Sequence, residues 1–142
     1  MKRLLPVFLA LLLLLIPITA LGATNNTSTG KLIQPLTYQT ISGGGSQLSD
    51  NGNGNITISG YTSTYYPVSQ IGLTLHLQYL KNGNWYTLQT YNYTSANASN
   101  VSGGQNLGVS SGYYYRVFAE HTAYNGSTYE TGYSYTEAVY IP

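Results

Sequence analysis

Cysteine is absent from this 142-residue chain, and charged residues make up only 6% of it. The lack of cysteine excludes disulfide bonds and thiolate metal sites, so packing alone must stabilise the fold. The scarcity of lysine and arginine excludes the clustered basic surface that neutralises nucleic-acid phosphates. Tyrosine is abundant instead, at 16 residues. This composition favours a β protein whose surface is kept wettable by tyrosine hydroxyls rather than by ions.

The first 22 residues have the layout of a secretory signal peptide. A basic pair at positions 2 and 3 precedes an apolar run from Leu4 to Ile18, and Ala20 and Gly22 supply the small residues of a cleavage site. A membrane anchor is the alternative, but a span needs about 20 apolar residues and this run has roughly 15 to 18. We therefore expect a secreted protein, extracellular or at the cell surface, that begins at Ala23 and keeps no membrane span.

The charge of the chain changes when the leader is removed. The remaining chain then has three basic residues and four acidic ones, which gives a net charge near −1. They are Lys31, Lys81 and Arg116, and Asp50, Glu120, Glu130 and Glu137. Nucleic acid is therefore not an expected partner.

The region after the cleavage site contains two predicted breaks. Residues 23–33 are mostly polar and predict a flexible linker. A short apolar stretch from Leu32 to Ile41 predicts a loosely held edge strand, and the glycine-rich segment Ser42 to Ser46 predicts a second break. The folded domain is accordingly expected to span residues 34–142.

Alternation of apolar and polar residues predicts strands in the rest of the chain, and no window shows a helical period. Asn82-Gly83 and Asn125-Gly126 predict hairpin turns, and the polar stretch Thr94 to Asn100 predicts a connection. The predicted strands are Ile56 to Ser59, Ile71 to Tyr79, Trp85 to Tyr93, Val101 to Val109, Tyr113 to His121 and Ser127 to Ile141.

About seven short strands with regularly spaced turns predict an all-β fold, an antiparallel two-sheet sandwich of immunoglobulin-like or fibronectin type III-like kind. The inward phase of the strands predicts the core. Its expected members are Ile56, Ile58, Leu73, Leu75, Leu77, Tyr113, Tyr115, Val117 and Val139.

Two resemblances accompany this interpretation. The segment Tyr113 to Ala119 resembles the penultimate strand of a fibronectin type III domain, which implies that Tyr113 makes a tyrosine-corner hydrogen bond to the backbone. The segments Ser49 to Thr62, Ile71 to Gln78 and Gly112 to Val117 look like a family of small secreted bacterial proteins of unknown function. That resemblance implies secretion and a single β domain, and it implies no activity.

The residues that could carry catalysis or bind a metal are few. Nucleophilic catalysis needs a histidine oriented by a carboxylate, and only His76 and His121 are present, on opposite phases of their strands. Glu120 and Glu130 flank a hairpin and could face each other as paired carboxylates, but solvation or pairing with Arg116 or Lys81 is the simpler interpretation. Asp50 to Asn55 is closer to a plain turn than to a calcium loop. We therefore predict no enzyme, no metal and no cofactor.

Seven Asn-x-Ser/Thr sequons occur in the chain, which would matter only in a host that N-glycosylates exported proteins. They begin at Asn25, Asn26, Asn55, Asn92, Asn97, Asn100 and Asn125.

The surplus of aromatic residues is the main functional signal. Tyr114, Arg116 and Phe118 fall on the outward phase of their strand, where a flat ring with a polar tip suits binding of sugars, peptides or like subunits. We expect a non-catalytic binding module that recognises a glycan or cell-envelope component through these residues. The alternatives are a structural subunit that pairs with copies of itself through an edge strand, and tyrosines that merely line solvated strand faces.

Overall fold

The computed structural model describes residues 25–33 and 38–142, and these residues form an all-β fold. It has seven strands, all paired antiparallel: β1 (Thr27–Lys31), β2 (Ile41–Gly52), β3 (Asn55–Lys81), β4 (Asn84–Gly108), β5 (Tyr113–Tyr124), β6 (Tyr129–Tyr135) and β7 (Val139–Ile141). No helix that could cross a membrane occurs in the described part of the chain.

One long hairpin, formed by β3 and β4, organises the fold. The predicted Asn82-Gly83 turn joins its strands, and both residues have positive φ angles, of 52° and 76°, which a type I′ turn requires. The first part of β3 pairs with β2 and its second part pairs with β5, while β4 pairs with both parts. Since a strand has only two edges, β2 and β5 follow one another along the edge opposite β4.

The hairpin bends where its register shifts between Ser63 and Val68. This break separates the sheet into two parts that share one core. We call β1, β2 and the adjoining parts of β3 and β4 the first half-sheet, and the remaining strands the second half-sheet. Near β1 the two halves meet again, because Ile33 N donates to Tyr133 O at 3.0 Å. The seven strands thus form a single sheet curled nearly into a barrel.

The core fills the space between the two half-sheets, and the predicted strand phase is confirmed. Eight of the nine predicted core residues are buried, and Tyr113 is partly buried and packs against the others. Tyr115, rather than Tyr113, makes the tyrosine-corner contact, since its hydroxyl donates to Ser110 O at 2.8 Å. Tyr113 instead meets the ring of Tyr79 edge to face.

The prediction of a flexible linker over residues 23–33 is wrong in its described part, because β1 lies there and pairs with β2. The strand therefore precedes the apolar stretch that was expected to form it. Polar residues are tolerated at this edge because they find cross-strand partners, such as the Thr27 and Ser49 hydroxyls 3.1 Å apart.

The predicted break from Ser42 to Ser46 is also wrong, because these residues belong to β2. Its glycines serve close packing rather than a turn. A Cβ at Gly44 would lie 2.7 Å from His121 Nδ1, and one at Gly45 would lie 3.0 Å from Gly30 O.

Two other predictions about the connections between strands are wrong. The stretch Thr94 to Asn100 is not a connection but the bent middle of β4, with Asn97 at a φ of 51°. The predicted last strand, Ser127 to Ile141, is divided into β6 and β7. It is divided at Thr136, whose hydroxyl accepts from Val117 N at 3.0 Å and whose own N donates to Val117 O.

The all-β, antiparallel class with seven strands is confirmed. A sandwich of two separate sheets is not what the pairing shows, because the long hairpin carries hydrogen bonds continuously from one half-sheet to the other. Strands of about 25 residues that bend halfway cannot be distinguished from pairs of short strands by periodicity alone.

Candidate functional site

The outer surface of the second half-sheet carries a row of stacked rings. His76, Phe118 and Tyr135 are direct cross-strand neighbours on β3, β5 and β6. The Phe118 ring stacks on Tyr135 with centroids 4.8 Å apart and on His76 with centroids 5.1 Å apart, each at an interplanar angle of 16°. Such offset stacking is a favourable arrangement for aromatic pairs, and it leaves part of each ring open to solvent.

Arg116 extends this row toward the Asn82-Gly83 turn of the hairpin. Its guanidinium carbon lies 4.2 Å from the centre of the Trp85 ring and 5.3 Å from that of Tyr135. The Arg116 Nε donates to the side-chain oxygen of Gln78 at 2.9 Å, which fixes the plane of the group. Burial lowers the pKa of Arg116, and the neighbouring Tyr135 acts in the opposite direction.

The rings, the cation and one further neighbour form a single surface. Tyr133 tilts against Phe118 with centroids 5.6 Å apart, on the diagonal of the β5–β6 pair. We call the following residues the aromatic face: His76, Trp85, Arg116, Phe118, Tyr133 and Tyr135. Amide and hydroxyl side chains border it, including Thr90, whose Oγ1 lies 2.9 Å from His76 Nδ1.

Two of the three binding residues predicted from the sequence, Arg116 and Phe118, lie in the aromatic face. The third, Tyr114, is on the same side of β5 but its ring contacts Tyr140 of β7, with centroids 5.1 Å apart. Four members of the face were not predicted from the sequence: His76, Trp85, Tyr133 and Tyr135. The Asn125-Gly126 signal indicates that β6 lies beside β5, but the loop spans residues 125–128, so the register that sets Tyr133 beside Glu120 and Tyr135 beside Phe118 does not follow from it.

The segment that precedes β2 lies elsewhere. The Leu32 side chain is buried against Gly132, on the inward side of β6, and Tyr38 Oη donates to Thr131 O at 2.5 Å. The described residues of this segment therefore contact β6 and do not lie over Phe118 on the outer side of the sheet.

His121 is fully buried in the core, where it joins a chain of hydroxyl groups. Thr62 Oγ1 donates to Gly72 O at 2.9 Å and so accepts from His121 Nδ1, 2.8 Å away. The Ser134 hydroxyl lies 2.9 Å from His121 Nε2, and Ser46 Oγ lies 3.0 Å from Ser134 Oγ. Burial lowers the pKa of His121 to about 4, so the imidazole is neutral at pH 7.

The Ser134 and His121 pair has the spacing of a nucleophile and its base, but both side chains have no exposed surface. The other side-chain partner of the histidine is a threonine rather than a carboxylate, so the group that would orient and stabilise an imidazolium is missing from this contact. The arrangement satisfies polar groups within the core.

Glu120 and Glu130 do not form a carboxylate pair, because Glu120 pairs with Tyr133 and Glu130 with Ala123. The Glu130 carboxylate instead accepts hydrogen bonds from the backbone of Gln39, Thr40 and Ile41, at 2.9 to 3.0 Å. Burial acts to raise the pKa of Glu130, but these backbone donors outweigh it and hold the pKa below its usual value.

The expected turn at Asp50 is present, with Asp50 Oδ1 accepting from Gly52 N at 2.8 Å. Residues 25–33 and 38–142 contain no group of three or more His, Asp or Glu side chains that could hold a metal ion.

The first half-sheet carries a second surface feature, a shallow groove of about 560 Å³ on its outer side. Glycines from several strands line it, with Lys31, Gln47 and Tyr61 among its other residues. A Cβ at Gly45 or Gly104 would meet backbone oxygen atoms within 3.0 Å, so the packing of the sheet already accounts for these glycines.

Comparison with protein-family models finds no match to this chain, and comparison with curated proteins finds none either. The resemblance to small secreted bacterial proteins therefore stays a prediction.

Proposed function

We propose that this chain is a secreted, non-catalytic binding module whose aromatic face recognises a glycan of the extracellular surface or cell envelope. The observation that carries the proposal is the row of stacked rings His76, Phe118 and Tyr135, extended by Arg116. Tyrosines that only line a solvated strand face would not account for the partly exposed phenylalanine and the arginine that lie among the rings on this side of the sheet.

A glycan fits the chemistry of this face. A sugar ring has an apolar face of C–H groups, which packs on aromatic rings, and a rim of hydroxyl groups that needs donors and acceptors. The aromatic face supplies the rings, and Gln78, Thr90 and Arg116 supply polar groups beside them. With a net charge near −1 after leader removal, the protein has little long-range attraction for a strongly charged ligand.

The tyrosine corner also supports a relation to immunoglobulin-like and fibronectin type III-like sandwiches. In those folds a tyrosine at the start of a late strand bonds to the backbone a few residues upstream, as Tyr115 does to Ser110. We infer that the nearly closed sheet is a variant of that architecture in which one hairpin spans both layers.

The test is a binding assay of the purified protein against soluble and insoluble polysaccharides, including envelope material from the producing cell. We expect Phe118→Ala and Tyr135→Ala each to weaken binding at least tenfold, a loss in the range seen for central aromatic contacts of about 2 kcal/mol. The matched control is Tyr65→Ala, because Tyr65 is 66% exposed and lies outside the aromatic face.

Equal loss of binding in the Tyr65 variant, or full binding by the Phe118 and Tyr135 variants, would contradict the proposal. Thermal unfolding of all three variants shows whether any loss of binding comes from unfolding instead.

A further inference from the structure

The outer edge of β4 has no neighbouring strand among the described residues. Within residues 25–33 and 38–142, β4 pairs only with β3, so one row of its backbone donors and acceptors has no strand beside it. Proteins usually protect such an edge with charged residues, proline or a very short strand. β4 has 25 residues and contains no Asp, Glu, Lys, Arg or Pro.

One part of this edge is regular. The register shift next to Gln78 and the bend near Asn97 interrupt β4, and between them Gln89 to Ala96 pairs with β3 without a break. At the centre of this run lies Thr90-Tyr91-Asn92-Tyr93-Thr94, which reads the same in both directions.

A palindromic strand is complementary to itself in the antiparallel direction. About a two-fold axis through Asn92, Thr90 faces Thr94 of the second copy and Tyr91 faces Tyr93 of the second copy. Thr–Thr and aromatic pairs are among the cross-strand pairs that stabilise sheets, and no like charges meet. We propose that two copies of this chain pair through β4 in this register.

Burial supports a second copy as the occupant of this edge. Tyr91 and Tyr93 lie on the inward phase of β4 and pack against the core, yet both remain partly exposed because the sheet ends at this strand. A neighbouring β4 would extend the second half-sheet beyond this strand and cover them. The pairing is isologous, so it closes at the dimer and does not propagate into a fibre.

The mass of the purified protein in solution, from sedimentation equilibrium or light scattering, tests the proposal. We expect twice the chain mass for the wild type and the chain mass for Asn92→Lys, which puts like charges opposite each other at the axis. Asn106→Lys is the matched control, because Asn106 is also exposed on β4 and also accepts from a threonine of β3. This control should remain a dimer.

A charge swap tests the register itself. The T90K/T94K variant places like charges across both threonine pairs and should be monomeric, whereas T90K/T94E places opposite charges there and should restore the dimer. Equal masses for these two variants would overturn the register and with it the proposal.

Two further outcomes would also overturn it. One is a wild type that remains monomeric at its solubility limit. This outcome counts against the proposal both if the β4 amide hydrogens exchange freely with solvent and if another segment of the same chain protects them. The other is an Asn106→Lys variant that dissociates as fully as Asn92→Lys.

Discussion

The Ser134 hydroxyl lies 2.9 Å from His121 Nε2 in the interior of the fold, where neither side chain has exposed surface. Burial at this place lowers the pKa of His121 to about 4, so the folded protein holds the imidazole in its neutral form at pH 7. The stability of the fold is therefore linked to the protonation of one buried residue.

We expect stability to fall as the pH is lowered from about 6.5 toward 4. The pKa of His121 is about 4 in the folded protein, whereas a histidine in the unfolded chain has its ordinary pKa of 6.5. Between these two pH values the unfolded state binds a proton that the folded state does not bind. The free energy of unfolding therefore falls by an amount on the order of 3 kcal/mol. Urea titrations at several pH values measure it. His121→Gln keeps two hydrogen-bonding atoms without the titration, so its stability should change much less over the same window.

Glu130 should contribute stability by binding the backbone before β2. We expect Glu130→Gln to destabilise the protein by about 1 to 3 kcal/mol at pH 7, because hydrogen bonds to a charged acceptor are lost. The pKa of Glu130 is lowered, so this contribution is present above the ordinary carboxyl pKa and disappears as the pH falls through the folded value. Glu137→Gln, at an exposed position, is the control. Identical unfolding midpoints for the two variants would show that the backbone contacts contribute nothing.

The side chains of β3 point alternately inward and outward, so substitutions at neighbouring positions should differ in their cost in stability. Leu75 is fully buried, and replacement by Ala should cost about 1 to 4 kcal/mol through lost burial and a residual cavity. Val117→Ala should behave in the same way, with a smaller cost. Thr74 faces outward, so Thr74→Ala should cost far less, and denaturant midpoints of the three variants decide the matter.

The tyrosine corner can be tested by removing single hydroxyl groups. Tyr115→Phe should cost about 1 kcal/mol, because Ser110 O loses its donor in a partly buried place. Tyr113→Phe tests the position expected from the sequence and should change stability very little. The reverse order of the two effects would be incompatible with the corner described above.

Gly103 lies beneath the ring of Tyr93, and a Cβ there would collide with the ring. Gly103→Val should therefore destabilise the fold by about 1 to 3 kcal/mol through overpacking. A Cβ at Gly108, at the end of the same strand, would meet nothing within 4 Å. Gly108→Val should leave the thermal midpoint nearly unchanged.

Much of this architecture can be predicted from the sequence, and the remainder depends on tertiary pairing. The alternation through Leu73, Leu75 and Leu77 identified the core face, and Asn82-Gly83 identified the central hairpin, since both signals are local. The glycines of β2 suggested a break because their true role, close contact with His121 of β5 and Tyr61 of β3, cannot be read from the local sequence.

The candidate site divides in the same way. Period two alone placed Arg116 and Phe118 on the outer side. Their neighbours His76 and Tyr135 could be found only from the register of β5 with β3 and β6, which the alternation of a single strand does not contain.

The β3–β4 hairpin also has a consequence for the order of folding. Its pairs begin at Lys81 and Asn84, next to the turn, and move steadily apart in sequence until Asn55 meets Gly108. Each added pair closes almost no new loop once its neighbour has formed, whereas β5 must close a longer loop to reach the same strand, since its nearest pair along the chain joins Tyr79 to Tyr115. The hairpin can therefore zip from the turn and present β3 as a template on which β5 and then β6 assemble. A substitution that weakens the Asn82-Gly83 turn should then slow folding more than it speeds unfolding, the opposite of what the same loss of stability would do at β1.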